Sequence, residues 1–367
     1  MTTAFKSLNN NDITTTRTLL HEAIPITGAI TSGTYAEENI KTFSHGMFQS
    51  VYDYPYLSSS ANHIFDITCG FHSGSALSGS QGNETTQVAK KINIYNQMAQ
   101  TLVGYDTGSN IRLFDQDGDL GSGAKLDEAV FLNFGRLLTK DEIKKESFTV
   151  VFATGSSPSS SFLGAHLKTI SDYGAATSYR TNSPAGEYGI LYSSSADVGA
   201  STAGVGLIYY QAGIVVLTAS VFRSAPADAA AGAGTHSAPG MEFGPLQTEH
   251  FDSSSIEAVL TASTIDNFAT GVRNRLYSVQ FNNTTELNST IYFCRMNHND
   301  FNYSSNPTYL SQSTIRVKEE TLDNPVSYAT TIGLYSSDNA LLACAKLSEP
   351  LKKDPNTELT IRVRLDY

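Results

Sequence analysis

Apolar and polar positions alternate most regularly in the last third of the chain. In "ELTIRVRLDY", Leu359, Ile361, Val363 and Leu365 alternate with Thr360, Arg362, Arg364 and Asp366. That period of two marks a strand with one covered face. "YATTIGLY" and "ALLACAKL", joined by the turn "SSDN", read as a hairpin. "RLYSVQF" and "STIYFCRM" read as two strands separated by the polar stretch "NNTTELN". Upstream, "NHIFDITCGF", "AVFLNFGRLL" and "FTVVFAT" carry strand patterns. "GEYGILYSSS" and "VGLIYYQAGIVVLTASVF" predict a meander that folds back at Gln211-Ala212-Gly213. "RTLLHEAIPITGAI" is either a strand pair broken at Pro25 or a short helix ended by it.

One segment has the helical period instead. In "ETTQVAKKINIYNQMAQTLVG", Val88, Ile92, Tyr95, Ala99 and Leu102 fall on one face, which predicts an amphipathic helix near 84–103. Asn83 or Thr85 can cap its start and Gly104 its end. Thr139 and Glu142 match a capping box and predict a second, shorter helix. "SAPADAAAGAGTHSAPG" (224–240) is low in complexity and reads as a mobile loop.

Composition agrees with a mainly β chain. Tyr (19) and Phe (18) are abundant and suit a pleated surface, while Ser, Thr, Asn and Gly crowd the stretches between apolar runs. The expected class is mainly β with a few helices (α+β), built of antiparallel sheets and β-sandwich modules. Three regions are expected: a mixed N-terminal region 1–150, a β meander 151–260 and an antiparallel β domain 261–367.

The formal net charge is −11, so a phosphate backbone would be repelled and nucleic acid is not an expected partner. Lys90-Lys91, Lys144-Lys145 and Lys352-Lys353 are short basic clusters that read as solvated surface. Cys69, Cys294 and Cys344 are far apart and odd in number, which argues against a disulfide framework. Each lies in an apolar run and reads as a buried small side chain. No apolar signal core or run of about 18 apolar residues occurs, so no membrane role is expected.

The strongest candidate for chemistry is "FDQDGDLGSG" (114–123). Asp115, Asp117 and Asp119 offer three carboxylates at alternate positions beside glycines, a supply of hard oxygen ligands for Ca²⁺. The EF-hand pattern breaks at its sixth position, where Leu120 replaces Gly, and at its twelfth, where Leu126 replaces Glu. A solvated acidic turn is the plain alternative. The eight His residues form no helical pair; His63 and His72 flank one predicted strand. No nucleophile elbow, P-loop or dinucleotide fingerprint is present, and no catalytic or cofactor-binding residue is expected.

Aromatic, Asn-rich and Ser-rich surfaces remain. "VYDYPYL" (Tyr52, Tyr54, Tyr56), "LIYYQ" (Tyr209, Tyr210) and "FNYSSNPTYL" (Phe301, Tyr303, Tyr309) have the character of ordered, partly polar interfaces. Ordinary packing within one subunit is the plain alternative for each stretch taken singly, but the three together predict contacts with further copies of the chain.

Several phrases are similar to virion structural proteins of marine contractile-tailed phages, including those of cyanobacteria. They are "LLHEAIPITG", "HGMFQSVYDYPYLSSSANHIFD", "FLNFGRLLTKDEIKK", "FNNTTELNSTIYFCR", "FNYSSNPTYL" and the stretch from "NPVSYATTIGLY" to "ELTIRVRLDY". The resemblance implies a non-enzymatic building block of the tail or baseplate. Neck, collar or capsid-surface protein is the alternative location. It further implies synthesis in the bacterial cytoplasm, residence in the virion, and partners that are other copies and other virion proteins. A receptor- or glycan-binding β-sandwich that meets a host surface glycan is the rival reading.

Overall fold

A computed structural model describes residues 5–25, 37–74, 86–121, 123–153, 167–222, 260, 263–304, 309–311, 314–315, 320 and 322–367. Along the chain run strands β1 (Ile13–Pro25), β2 (Ile40–Thr42), β3 (Gln49–Tyr52) and β4 (His63–Phe71), then helix α1 (Thr86–Leu102). Next come β5 (Glu128–Phe134), the single turn α2 (Arg136–Thr139), β6 (Glu142–Ile143), β7 (Thr149–Ala153) and β8 (Leu167–Ser171). The short α3 (Ala175–Ser178) precedes β9 (Tyr188–Leu191), β10 (Gly206–Tyr209), β11 (Ile214–Thr218) and helix α4 (Ile265–Arg275). The chain finishes with β12 (Leu276–Met296), β13 (Leu310–Ser311), β14 (Thr314–Ile315), β15 (Ser327–Tyr335), β16 (Leu341–Lys353) and β17 (Leu359–Asp366).

The fold is mainly β with antiparallel sheets, as the alternation predicted. It divides into two compact units, residues 20–285 and residues 1–19 with 286–367. The expected boundary near 150 falls inside β7, and one seven-stranded sheet draws strands from both sides of it. Packing between segments distant in the sequence, rather than order along the chain, therefore sets the division.

In the larger unit the seven-stranded sheet has the order β2-β3-β4-β5-β11-β10-β9. Its central strands β4 and β5 are buried on both faces. β7, β8 and the first half of β12 belong to a second sheet. Rings from the two sheets meet in one core: Phe134 lies 5.3 Å from Phe281 and 6.0 Å from Phe148. The arrangement is β-sandwich-like.

Helix α1 covers β4, and all five residues of its predicted face are buried. Gly70 permits the close approach, because a Cβ there would stand 2.5 Å from the Lys91 carbonyl and 2.9 Å from the Tyr95 nitrogen. Gly104, at φ +81, ends the helix as expected. The proposed start caps Asn83 and Thr85 lie outside the described residues, as does the 224–240 loop. Helix α4 is capped by Thr264, whose hydroxyl accepts from the Asn267 N–H at 3.1 Å.

Two predicted elements differ, and a third is decided between its two readings. "RLYSVQF", "NNTTELN" and "STIYFCRM" form one continuous strand, β12. Its polar middle is paired rather than looped: Asn283 and Thr284 are buried and face Ile143 and Glu142 of β6. The Thr139–Glu142 capping box caps no helix, since α2 stops at Thr139, Lys140 adopts φ +55 and Glu142 joins β6. "RTLLHEAIP" is strand, not helix, and β1 ends at Pro25 as the strand reading has it; "ITGAI" lies outside the described residues.

The smaller unit holds the second half of β12, antiparallel to β17, and the β15–β16 hairpin. Its strands show the expected alternation, but the apolar positions are mostly half-buried. No helix among the described residues is long and apolar enough to cross a membrane.

Candidate functional site

A broad groove lies within the smaller unit. It has a volume of about 1190 Å³ and is bordered by the N-terminal segment, the end of β12, the 301–304 loop and β15. Every residue of β15 lines it, whereas Leu342 and Lys353 alone represent β16. Five rings in its wall are substantially exposed: Phe5 (50%), Phe301 (42%), Tyr303 (58%), Tyr328 (51%) and Tyr335 (45%). Phe5 meets Tyr335 edge-on at 4.8 Å. Phe301 and Tyr303 were expected at an interface, and they stand on this accessible wall. Tyr309 meets the ring of Tyr303 edge-on at 6.1 Å and is half-buried.

The loop presenting these rings is held from below. The Lys353 ammonium is fully buried and donates to Asn302 Oδ1 at 2.6 Å, to the Asp354 carbonyl at 2.8 Å and to the His298 carbonyl at 3.2 Å. Asn302 Nδ2 in turn donates to the His298 carbonyl at 2.7 Å, and the Ser327 hydroxyl donates to the Phe301 carbonyl. Phe301 is fixed at φ +56, a costly conformation for a bulky residue that these bonds hold in place. Lys6 pairs with Asp300 at 2.5 Å and holds its carboxyl below the usual range. The loop is therefore built to display aromatic faces.

The other two aromatic stretches lie in the larger unit and separate by burial. Tyr54 (60%) and Tyr56 (37%) are exposed, and Tyr52 is half-buried between Tyr56 and His63, at 6.4 and 5.5 Å. Tyr209 and Tyr210 are not interface residues. Both are completely buried; Tyr209 stacks on Tyr188 at 5.1 Å and Tyr210 donates its hydroxyl to Asp172 Oδ2 at 3.0 Å. Tyr209 ends β10, next to the edge strand β9 that carries Tyr188, and Tyr210 opens the turn that follows.

The acidic turn brings Asp115, Asp117 and Asp119 together, with one carboxylate oxygen of each inside a 4.8 Å span. Leu120, where the EF-hand pattern wants Gly, does adopt φ +59, and its N–H donates to Asp115 Oδ2 at 2.6 Å. The turn already contains a cation. Lys125 Nζ lies 3.1 Å from Asp115 Oδ1 and donates to the Gly121 carbonyl at 2.6 Å. Those are oxygens that a bound Ca²⁺ would use. Burial pushes the Asp115 carboxyl up, opposed by the Lys125 ammonium; the Gly121 N–H holds Asp119 below its ordinary value. The turn is also tied to its surroundings, because the Gly118 carbonyl accepts from Asn182 Nδ2 and from the Tyr188 hydroxyl, each at 3.1 Å.

His63 and His72 stand at opposite ends of β4, so about 30 Å of extended chain separates them and they share no metal. His63 instead pairs with Asp66 at 2.8 Å. Of the cysteines, Cys69 alone is fully buried, which pushes its thiol up to about 12; Cys294 is half-buried and Cys344 is exposed.

Two of the three basic clusters contain a buried lysine. Besides Lys353, Lys91 is fully buried and donates to the carbonyls of Leu260 and Ser263, the latter at 2.6 Å. Burial lowers its pKa. Lys91 lies three residues after Val88, on the helix face that the apolar pattern marks as covered. A third buried group, Asp172, had no pattern to announce it. It accepts from the Glu146 and Phe148 N–H groups at 2.7 and 3.1 Å and from Tyr210, and burial pushes it up to about 7.

No family model matches the chain, and neither does any curated protein or any solved structure.

Proposed function

We propose that the chain is a non-enzymatic structural subunit of a tailed-phage virion, of the tail or baseplate, that assembles through its smaller unit with copies of itself and with other virion proteins. The phrase-by-phrase resemblance supports the phage setting. The observation that carries the assembly role is the poverty of the smaller unit's core. Among the described residues, Val363 is its single buried apolar side chain, and the continuous core cluster lies wholly in residues 20–285. A unit of about a hundred residues normally covers most of its apolar surface by itself. This one instead leaves rings, Leu341 and Leu342 in solvent. Purified particles labelled with an antibody against the chain, viewed by electron microscopy, test the reading: label at the tail or baseplate is expected, and unlabelled particles would sink it.

A second reading is favoured by the groove itself. Exposed Tyr and Phe faces beside Asn and Ser groups suit sugar rings, so the unit would take a host surface glycan. A glycan array probed with the whole chain separates the two, since the structural reading expects no glycan-dependent signal.

A further inference from the structure

The hairpin β15–β16 is incomplete as a sheet. The two strands pair with each other, and among the described residues neither pairs with a third strand. A lone two-stranded ribbon is marginal in water. Its two outer edges are not equivalent. β16 carries Lys346, Glu349, Pro350 and Lys352, all exposed and of the residue types that protect an edge from pairing. β15, "SYATTIGLY", has no charge and no Pro, and it is the hairpin strand that borders the ring-lined groove.

We infer that the free edge of β15 is a docking strand for a second copy of this chain, which adds its own β15 antiparallel and packs its groove rings against the first. Three observations favour a second copy over another occupant. The edge is uncharged and β-branched, so it complements itself. The five exposed rings alone offer about 500 Å², taking roughly 200 Å² for each ring at near half exposure. That is most of the roughly 800 Å² per partner that a stable interface needs. Charge does not oppose it either. Residues 1–19 and 286–367 carry ten Lys/Arg against eleven Asp/Glu, whereas residues 20–285 carry fourteen against twenty-four. The net charge of −11 thus resides almost wholly in the larger unit, and two smaller units meet with little repulsion.

The inference deepens the assembly reading, but its test is independent of the virion. Sedimentation of the purified full chain over a range of concentrations, with hydrogen exchange at each, reads the contact directly. Self-association is expected, with the amides of residues 327–335 slowing as concentration rises. Thr330→Lys, at an exposed position of the bare edge, should weaken association about ten-fold while circular dichroism stays unchanged. Ser348→Lys, on the already charged strand, should leave association intact. A chain that stays monomeric at every concentration would overturn the inference. So would association that Thr330→Lys leaves unchanged, or exchange in 327–335 that ignores concentration. A self-associating chain missing from labelled particles would defeat the virion reading and leave this inference standing.

Discussion

Asp172 gives the larger unit a pH dependence of unusual sign. The side chain is fully buried and pushed up to about 7, against an ordinary value of 3.8. Burial is the dominant cause, opposed by the donors Glu146 N–H, Tyr210 hydroxyl and Phe148 N–H. A carboxyl raised in the folded state keeps its proton where the unfolded chain has lost it. Its stabilisation is therefore complete below pH 4 and is lost as the pH rises to about 7. About three pKa units correspond to roughly 4 kcal/mol. Carboxyls held low, such as Asp12, Asp106 and Asp366, act with the opposite sign and in a lower window. Urea unfolding at steps from pH 4 to 8, followed by circular dichroism, should show the wild type losing stability across pH 5–7. Asp172→Asn should flatten that slope. At pH 5 the variant should be less stable by about 1–2 kcal/mol, because its amide turns a donor toward a backbone N–H; at pH 8 it should be the more stable. Tyr210→Phe removes a donor that lowers Asp172, so its loss of stability should extend to higher pH. Parallel curves for wild type and Asp172→Asn would show that Asp172 does not set the slope.

Lys125→Ala leaves the buried Asp115 carboxylate without its cation and should cost about 1–2 kcal/mol, discounted because Lys125 is partly exposed. Terbium luminescence should be weak in the wild type and rise in this variant, and strong luminescence in both would show that the ammonium does not compete with metal. Tyr209→Ala should cost about 3–5 kcal/mol in thermal unfolding, whereas Tyr303→Ala should leave the melting temperature nearly unchanged and weaken assembly; equal losses in both would contradict the buried and exposed placements. Lys91→Met strands two backbone carbonyls, at about 1–3 kcal/mol each, partly offset by relief of burying a charge. A net loss of about 2 kcal/mol in denaturant unfolding is expected, and a stabilised variant would show the ammonium to be a liability.

Much of the β architecture was legible because period-two alternation reports covering directly. β4, β5, the β10–β11 hairpin, the β15–β16 hairpin and β17 all lie where the pattern places them, as does α1. The failures have one physical origin: a residue's polarity does not reveal its partner. Asn283 and Thr284 read as a loop, yet β6 pairs with them and Asn283 Nδ2 donates to the Leu138 carbonyl at 2.9 Å. Lys91 and Lys353 read as solvated, yet carbonyls and an amide oxygen brought from distant segments satisfy them. Tyr209 and Tyr210 have the composition of an interface, but Tyr188 and Asp172 meet them inside the fold, and neither partner shows in their own phrase.

The same limit explains why the smaller unit matters. Strict alternation in β17 says that one face of the strand is covered, since a sequence free of that demand has no need to segregate its apolar residues so cleanly. In the larger unit the chain supplies the cover itself, through the second sheet and α1. In the smaller unit it supplies little: Ile361 and Leu365 are half-buried, Leu342 is 70% exposed and Tyr328 is 51% exposed. The pattern therefore specifies more burial than one copy achieves. The shortfall lies beside the strand edge that lacks charge and Pro, and a second β15 would meet both demands, pairing the edge while its rings cover the face.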